Sequence, residues 1–161
     1  MTLPVRLSTV DDTRAYGAKL TAVLRAGDLV VLTGPLGAGK TALVQGIGVG
    51  LGVRGPVLSP TFVIARVHRP GRLPLVHVDA YRMKGPEDFV ELGLDEDIGA
   101  GACVAVEWAE IVEAALPPDR LVVRLDHASE ARRRASVEAT GPVSRAWLTA
   151  AAVGGPGGNP K

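Results

Sequence analysis

Apolar and polar positions along the chain follow two spacings, one of about two residues and one of between three and four, and the switches between them predict the elements. Val5 to Leu7 reads as a short strand. Ser8 or Thr9 then supplies N-cap chemistry for a helix expected from about Val10 to Arg25, with Tyr16, Leu20, Val23 and Leu24 on its apolar face and Gly27 closing it. Asp28 to Thr33 is a β-branched run that reads as a buried strand, and a second helix begins near Thr41 and reaches about Leu51. The segment Gly52 to Pro56 ends that helix, and Ser59-Pro60-Thr61 forms a polar loop. Thr61 to His68 and Leu73 to Asp79 read as two strands joined by the turn Arg69-Pro70-Gly71-Arg72, an antiparallel hairpin. A short helix is predicted over Pro86 to Leu92, followed by an acidic connection from Gly93 to Gly101. Ala102 to Val106 is a continuous apolar run of the kind found in a sheet covered on both faces. A short helix from Ala109 to Ala115 stops at Leu116-Pro117-Pro118, and two more strands follow, about Arg120 to Asp126 and Ala135 to Ala139.

One connection carries chemistry. Residues Gly34-Pro35-Leu36-Gly37-Ala38-Gly39-Lys40-Thr41 spell G-x-x-x-x-G-K-[ST] between a strand and a helix, the order a phosphate-binding loop requires. Gly34, Gly37 and Gly39 let successive backbone N–H groups converge on an anion, and the helix behind adds about half a positive charge at its N-terminus. The expected nucleotide-binding set is Gly34, Pro35, Leu36, Gly37, Ala38, Gly39, Lys40, Thr41 and Ala42. Lys40 is placed to reach the β- and γ-phosphates, and the Thr41 hydroxyl to ligate Mg²⁺.

Two carboxylates also follow apolar strands: Asp79 after Leu75-Val76-His77-Val78, and Glu107 after Cys103-Val104-Ala105-Val106. In open α/β sheets the ligand lies beyond the carboxyl ends of the strands, so both acids and the glycine loop point to one site. Glu107 is assigned to Mg²⁺, and Asp79 to orienting the attacking water or to the metal's outer hydrogen-bonding groups. The catalytic set is thus Lys40, Asp79 and Glu107, and the metal set Thr41 and Glu107. Ser59 and Thr61 occupy the loop where other nucleotide hydrolases carry switch segments. His77 shares the sheet face of Asp79 and is either a hydrogen-bonded structural histidine or part of the site. His68 and His127 read as surface residues, and Cys103 as packing.

The whole predicts an α/β domain, a three-layer P-loop fold with a central mixed sheet carrying an antiparallel hairpin, over residues 1–149. Residues 150–161, rich in Gly and Pro, are expected to be a disordered tail. With 47% hydrophobic and 22% charged residues among 161, the composition is globular, and no apolar run approaches the ~20 residues a membrane span needs. The amino terminus lacks a secretory pattern and there is a single cysteine, so a cytoplasmic location is expected. Eighteen basic against seventeen acidic residues leave a net charge of +1, which argues against a dominant nucleic-acid footprint; any RNA role is expected to be indirect. Arg132-Arg133-Arg134, the one tight basic cluster, reads as a solvated strand edge. The guanine-reading Asn-Lys-x-Asp motif is absent, Asn159 being the only asparagine, so ATP is favoured over GTP.

Together with the glycine loop, Ser59-Pro60-Thr61-Phe62, His77-Val78-Asp79-Ala80-Tyr81-Arg82 and Val106-Glu107-Trp108 resemble, in order and spacing, the TsaE (YjeE) family of small bacterial P-loop ATPases. The resemblance covers about residues 3 to 141. It implies ATP and Mg²⁺ as ligands, a metal-binding Glu107, a requirement for Asp79 in hydrolysis, a switch-like role for Ser59 and Thr61, and site-flanking positions for Trp108 and, more weakly, Thr13 near the adenine. It also implies TsaB and TsaD as partners, which transfer a threonylcarbamoyl group to tRNA adenosine beside the anticodon. Pro35 and Ala42 depart from the family pattern, where an acidic residue and a second Thr are frequent. Arg82 is the only internal candidate for an arginine finger, so turnover of the isolated chain is expected to be slow. A small-molecule kinase and a nucleotide-dependent switch module are the alternative readings.

Overall fold

The computed structural model describes residues 5–35, 37–53, 65–68, 71–127, 129, 132–142 and 144–146. Their strands are β1 (Val5–Leu7), β2 (Leu29–Thr33), β3 (Ala65–His68), β4 (Leu75–Asp79), β5 (Cys103–Glu107), β6 (Leu121–His127) and β7 (Arg133–Ala139). They form one mixed sheet in the order β1-β7-β6-β2-β5-β4-β3. The middle four strands, β6, β2, β5 and β4, are parallel. Antiparallel pairs flank them: β3 with β4, as the hairpin reading predicts, and β7 with β6 and β1. Arg133 and Arg134 lie in β7 opposite Leu7 and Arg6, with Arg134 exposed.

Helices α1 (Val10–Leu20) and α2 (Lys40–Leu51) cover one face of the sheet; α3 (Pro86–Glu91) and α4 (Asp95–Gly99) belong to the other side. The first face buries Leu24, Val30, Leu32, Leu43, Val44, Ile47, Leu75 and Ala105. The second buries Val31, Val76, Val78, Phe89, Leu94, Val104, Val106 and Val112. Alternate residues of each central strand enter opposite cores, which is why those strands read as unbroken apolar runs.

Thr9 caps α1 with a reciprocal pair: its hydroxyl accepts the Asp12 N–H at 3.0 Å, and Asp12 accepts the Thr9 N–H at 3.1 Å. The helix ends at Leu20, short of the Arg25 expected from sequence, and tightens into a 3₁₀ turn over Thr21–Val23. Arg72, far along the chain, takes the carbonyls of Thr21 and Leu24 at 2.6 and 3.3 Å, a tertiary cap that no local pattern announces. Two further expectations are corrected. Ala109 to Ala115 is a pair of 3₁₀ turns rather than a helix, and the acidic connection contains α4, whose first turn gathers Asp95, Glu96 and Asp97 against the helix N-terminus.

α1 and α2 touch backbone to backbone. A Cβ at Gly17 would overlap the Leu43 carbonyl, and one at Gly46 the Arg14 carbonyl. This approach seats Thr13, 2% exposed, against Gly39 of the glycine loop.

At the opposite end of the sheet Asp28 precedes β2, 5% exposed, its carboxylate accepting the Arg25 N–H. Burial pushes its carboxyl up from 3.8 to about 6, against the pull of the Arg25 hydrogen bond and charge. A raised folded-state value means that Asp28 contributes stability in full below the unfolded value, and that this is lost as pH rises through about 6. Asp28→Asn keeps the acceptor and carries no charge. It should raise the melting temperature near pH 8 by about 2–6 °C, corresponding to about 1–2 kcal/mol after allowance for screening. Near pH 4 the gain should vanish; an equal shift at both pH values would contradict the buried-acid assignment.

Candidate active site

The glycine loop leaves the carboxyl end of β2 and enters α2 through Gly39, whose left-handed φ of 104° caps the helix. Gly34 has φ 146° and lies so close to Leu125 that a Cβ would strike its carbonyl oxygen. Ala38 is fully buried beneath the loop, Pro35 and Gly37 are exposed, and Ala42 is half-buried in the first turn of α2. Leu36, Ser59 and Thr61 lie outside the described residues, as does the tail from 147 onwards.

Lys40 is 6% exposed. Its ammonium donates to the carbonyls of Gly34 at 2.6 Å and Pro35 at 3.1 Å, and stands 4.3 Å from the centre of the Trp108 ring. Burial lowers its pKa below the ordinary lysine value; the negative charges of Glu107, Glu110 and Asp79 oppose that shift. Of these three acids, Glu110 escaped the sequence reading.

The register explains how the acids meet. β4 and β5 are parallel with Asp79 opposite Glu107, and Leu32 of β2 is opposite Glu107 on the other side. Glu107 thus ends the strand adjacent to the glycine loop, 4% exposed. Its Oε2 accepts the Thr41 hydroxyl at 3.2 Å and lies 2.6 Å from His77 Nε2. Asp79 is half-buried, and its Oδ1 accepts the Tyr81 N–H at 3.0 Å, while the Glu107 carbonyl accepts the Ala80 N–H. Tyr81 and Trp108 pack ring against ring at 5.0 Å, tilted by 54°. Trp108 is the only non-glycine with positive φ among the described residues, at 58°, and that backbone turn swings its ring back over Lys40. Tyr81 is a further residue that sequence reasoning missed; its position two after Asp79 was the available signal. Arg82 is exposed on the same loop.

His77 proves fully buried and bonded to Glu107. His68, expected at the surface, is half-buried at the end of β3, and its pKa is lowered by burial and by the neighbouring His77 and Arg66. His127 is exposed, and Cys103 is packed in the core, its thiol pushed up to about 12 by burial.

The residues fit a divalent cation. Adjacent ligands of an octahedral Mg²⁺ at about 2.1 Å are about 3 Å apart, close to the 3.2 Å between the Thr41 hydroxyl and Glu107. Among the described residues no three His, Cys, Asp or Glu side chains form a metal cage, so an ion here would complete its shell with phosphate oxygens and water.

A mixed sheet with a glycine loop running from a central parallel strand into a covering helix defines the P-loop NTPase fold class. The crystal structure of YdiB from Bacillus subtilis superposes with a TM-score of 0.76 and 36% identity, covering 92% of both chains. The family model for the "Threonylcarbamoyl adenosine biosynthesis protein TsaE" matches residues 7–135. The chain therefore belongs to the TsaE family, which acts in the biosynthesis of tRNA threonylcarbamoyladenosine. The TsaE protein of Streptomyces coelicolor is 54% identical over 118 residues, covering 71% of this chain and 79% of its own. That of Mycobacterium tuberculosis is 44% identical over 137 residues, covering 80% and 81%. Both the fold class and the family read from the sequence are borne out. No helix among the described residues is long and apolar enough to cross a membrane.

Proposed function

We propose that this chain binds ATP with Mg²⁺ and hydrolyses the β,γ-phosphoanhydride in support of the TsaB–TsaD complex that transfers the threonylcarbamoyl group to tRNA. The observation that carries this reading is the convergence at one sheet end of Lys40, the Thr41 hydroxyl and the Glu107 carboxylate, the last two 3.2 Å apart.

Lys40 exchanges its bonds to the Gly34 and Pro35 carbonyls for phosphate oxygens, and an anion there offsets the burial that disfavours its charge. The backbone N–H groups of the loop and the N-terminus of α2 hold the same phosphates. Thr41 and Glu107 hold the metal ion, which when bound neutralises charge developing on the phosphate oxygens. Asp79, one strand away from Glu107 and half-buried, accepts a hydrogen bond from the attacking water and orients it towards the terminal phosphoryl group. Thr13, pressed against Gly39, flanks the loop on the α1 side, and Trp108 flanks it from β5.

Among the described residues Lys40 is the one buried lysine or arginine, and a supplied arginine is worth about 10³–10⁵ in rate in related chemistry. The isolated chain should therefore turn over ATP slowly, and purified TsaB and TsaD should raise the rate at least tenfold. Absence of both stimulation and co-purification would remove the partnership from this reading and leave a nucleotide hydrolase.

A further inference from the structure

We propose that His77 is a positioning residue that fixes the Glu107 carboxylate for the metal ion; the inference rests on the Mg²⁺–nucleotide reading above. His77 lies in β4 opposite Ala105, two residues before Asp79, so its side chain is on the sheet face shared by Asp79, Ala105 and Glu107. Ala105 is the residue directly beneath Glu107 on that face. It is fully buried and carries only a methyl group.

The contact is short and closed to water: Nε2 to Oε2 is 2.6 Å, with side-chain exposures of 0% and 5%. A carboxylate only accepts, so Nε2 carries the proton. Nδ1 has no partner among the described residues, which assigns the ring's one hydrogen-bonding duty to Glu107. The bonds from His77 and Thr41 both fall on Oε2. A carboxylate gripped at Oε2 by a ring packed in the core cannot rotate freely, which holds that oxygen beside the Thr41 hydroxyl. A hydrogen-bond donor behind a ligating group is the arrangement whose loss typically costs about 10–100-fold in metal affinity or activity. For core packing alone, a fully buried histidine with one unpaired nitrogen would be a poor choice beside leucine or methionine.

The test is nucleotide binding with and without the metal, measured on the full chain by titration of ADP in EDTA and then in Mg²⁺. In the parent protein Mg²⁺ should tighten binding. His77→Leu should leave the EDTA affinity within about twofold and reduce the Mg²⁺ enhancement by about tenfold or more. His77→Gln, which returns an N–H towards Oε2, should recover the enhancement to within about threefold of the parent. A folded His77→Leu protein with the full enhancement, or a Gln variant as impaired as Leu, overturns the proposal. Should the leucine variant not fold, His77→Asn replaces it, being too short to reach Oε2, and the same comparison with Gln decides. A parent protein that binds ADP equally with and without Mg²⁺ would instead overturn the metal reading, and this inference with it.

Discussion

Lys40→Ala should abolish tight ATP binding, weakening it by about a hundredfold or more, equivalent to about 3 kcal/mol. Among the described residues the side chain supplies the one cation buried against the glycine loop, and charge-assisted bonds to phosphate are among the stronger hydrogen bonds available to a protein. The melting temperature without nucleotide should move by only a few degrees. Lys40 is bonded to two loop carbonyls, but its burial also disfavours its charge, and the two effects offset one another. Calorimetric titration with ATP and Mg²⁺, alongside thermal melts of both proteins, checks the pair of statements. Tight binding by the variant would contradict the placement of the triphosphate on this loop.

Asp79→Ala should divide binding from turnover in the opposite way. Asp79 lies across the β4–β5 register from Glu107, and its carboxylate accepts the Tyr81 N–H. ATP affinity should therefore stay within a few fold of the parent, while hydrolysis, alone or with TsaB and TsaD, should fall by about 10²-fold or more, the scale of a lost general base. Single-turnover kinetics at saturating ATP isolates the step. Normal turnover by the variant would remove Asp79 from the chemistry.

The parts legible in the sequence were those in which local pattern and chemistry coincide. The strand before Gly34 and the helix after Thr41 are written in consecutive residues, as are the apolar runs that β4 and β5 contribute to the centre of the sheet. Strand-end acids could be named for the same reason. The pairing of His77 with Glu107 was not legible, because it depends on the register of two strands distant along the chain. Each strand announces its own faces, but nothing in it states which residue of the neighbour stands opposite. The end of α1 was misjudged because the guanidinium of Arg72, distant along the chain, binds the carbonyls of Thr21 and Leu24 in the turn that follows it. The tight approach of α1 and α2 was likewise hidden. Gly17 and Gly46 look like helix-weakening residues until their contact shows that any side chain there would strike the opposing backbone. Trp108 carried no sequence signal of its own for the site; a positive φ in the residue after β5 is what turns its ring over Lys40.

The central claim is that the glycine loop, Asp79 and Glu107 surround one metal-bound triphosphate. Its most direct measurement is a crystal structure of the Asp79→Ala variant grown with ATP and Mg²⁺, since that protein should hold ATP without consuming it. The account predicts intact ATP on residues 34–41, a metal ion held by Thr41 and Glu107, and an open space beside residue 79 facing the terminal phosphoryl group. A nucleotide bound elsewhere, or Glu107 turned away from the metal and the phosphates, would contradict it.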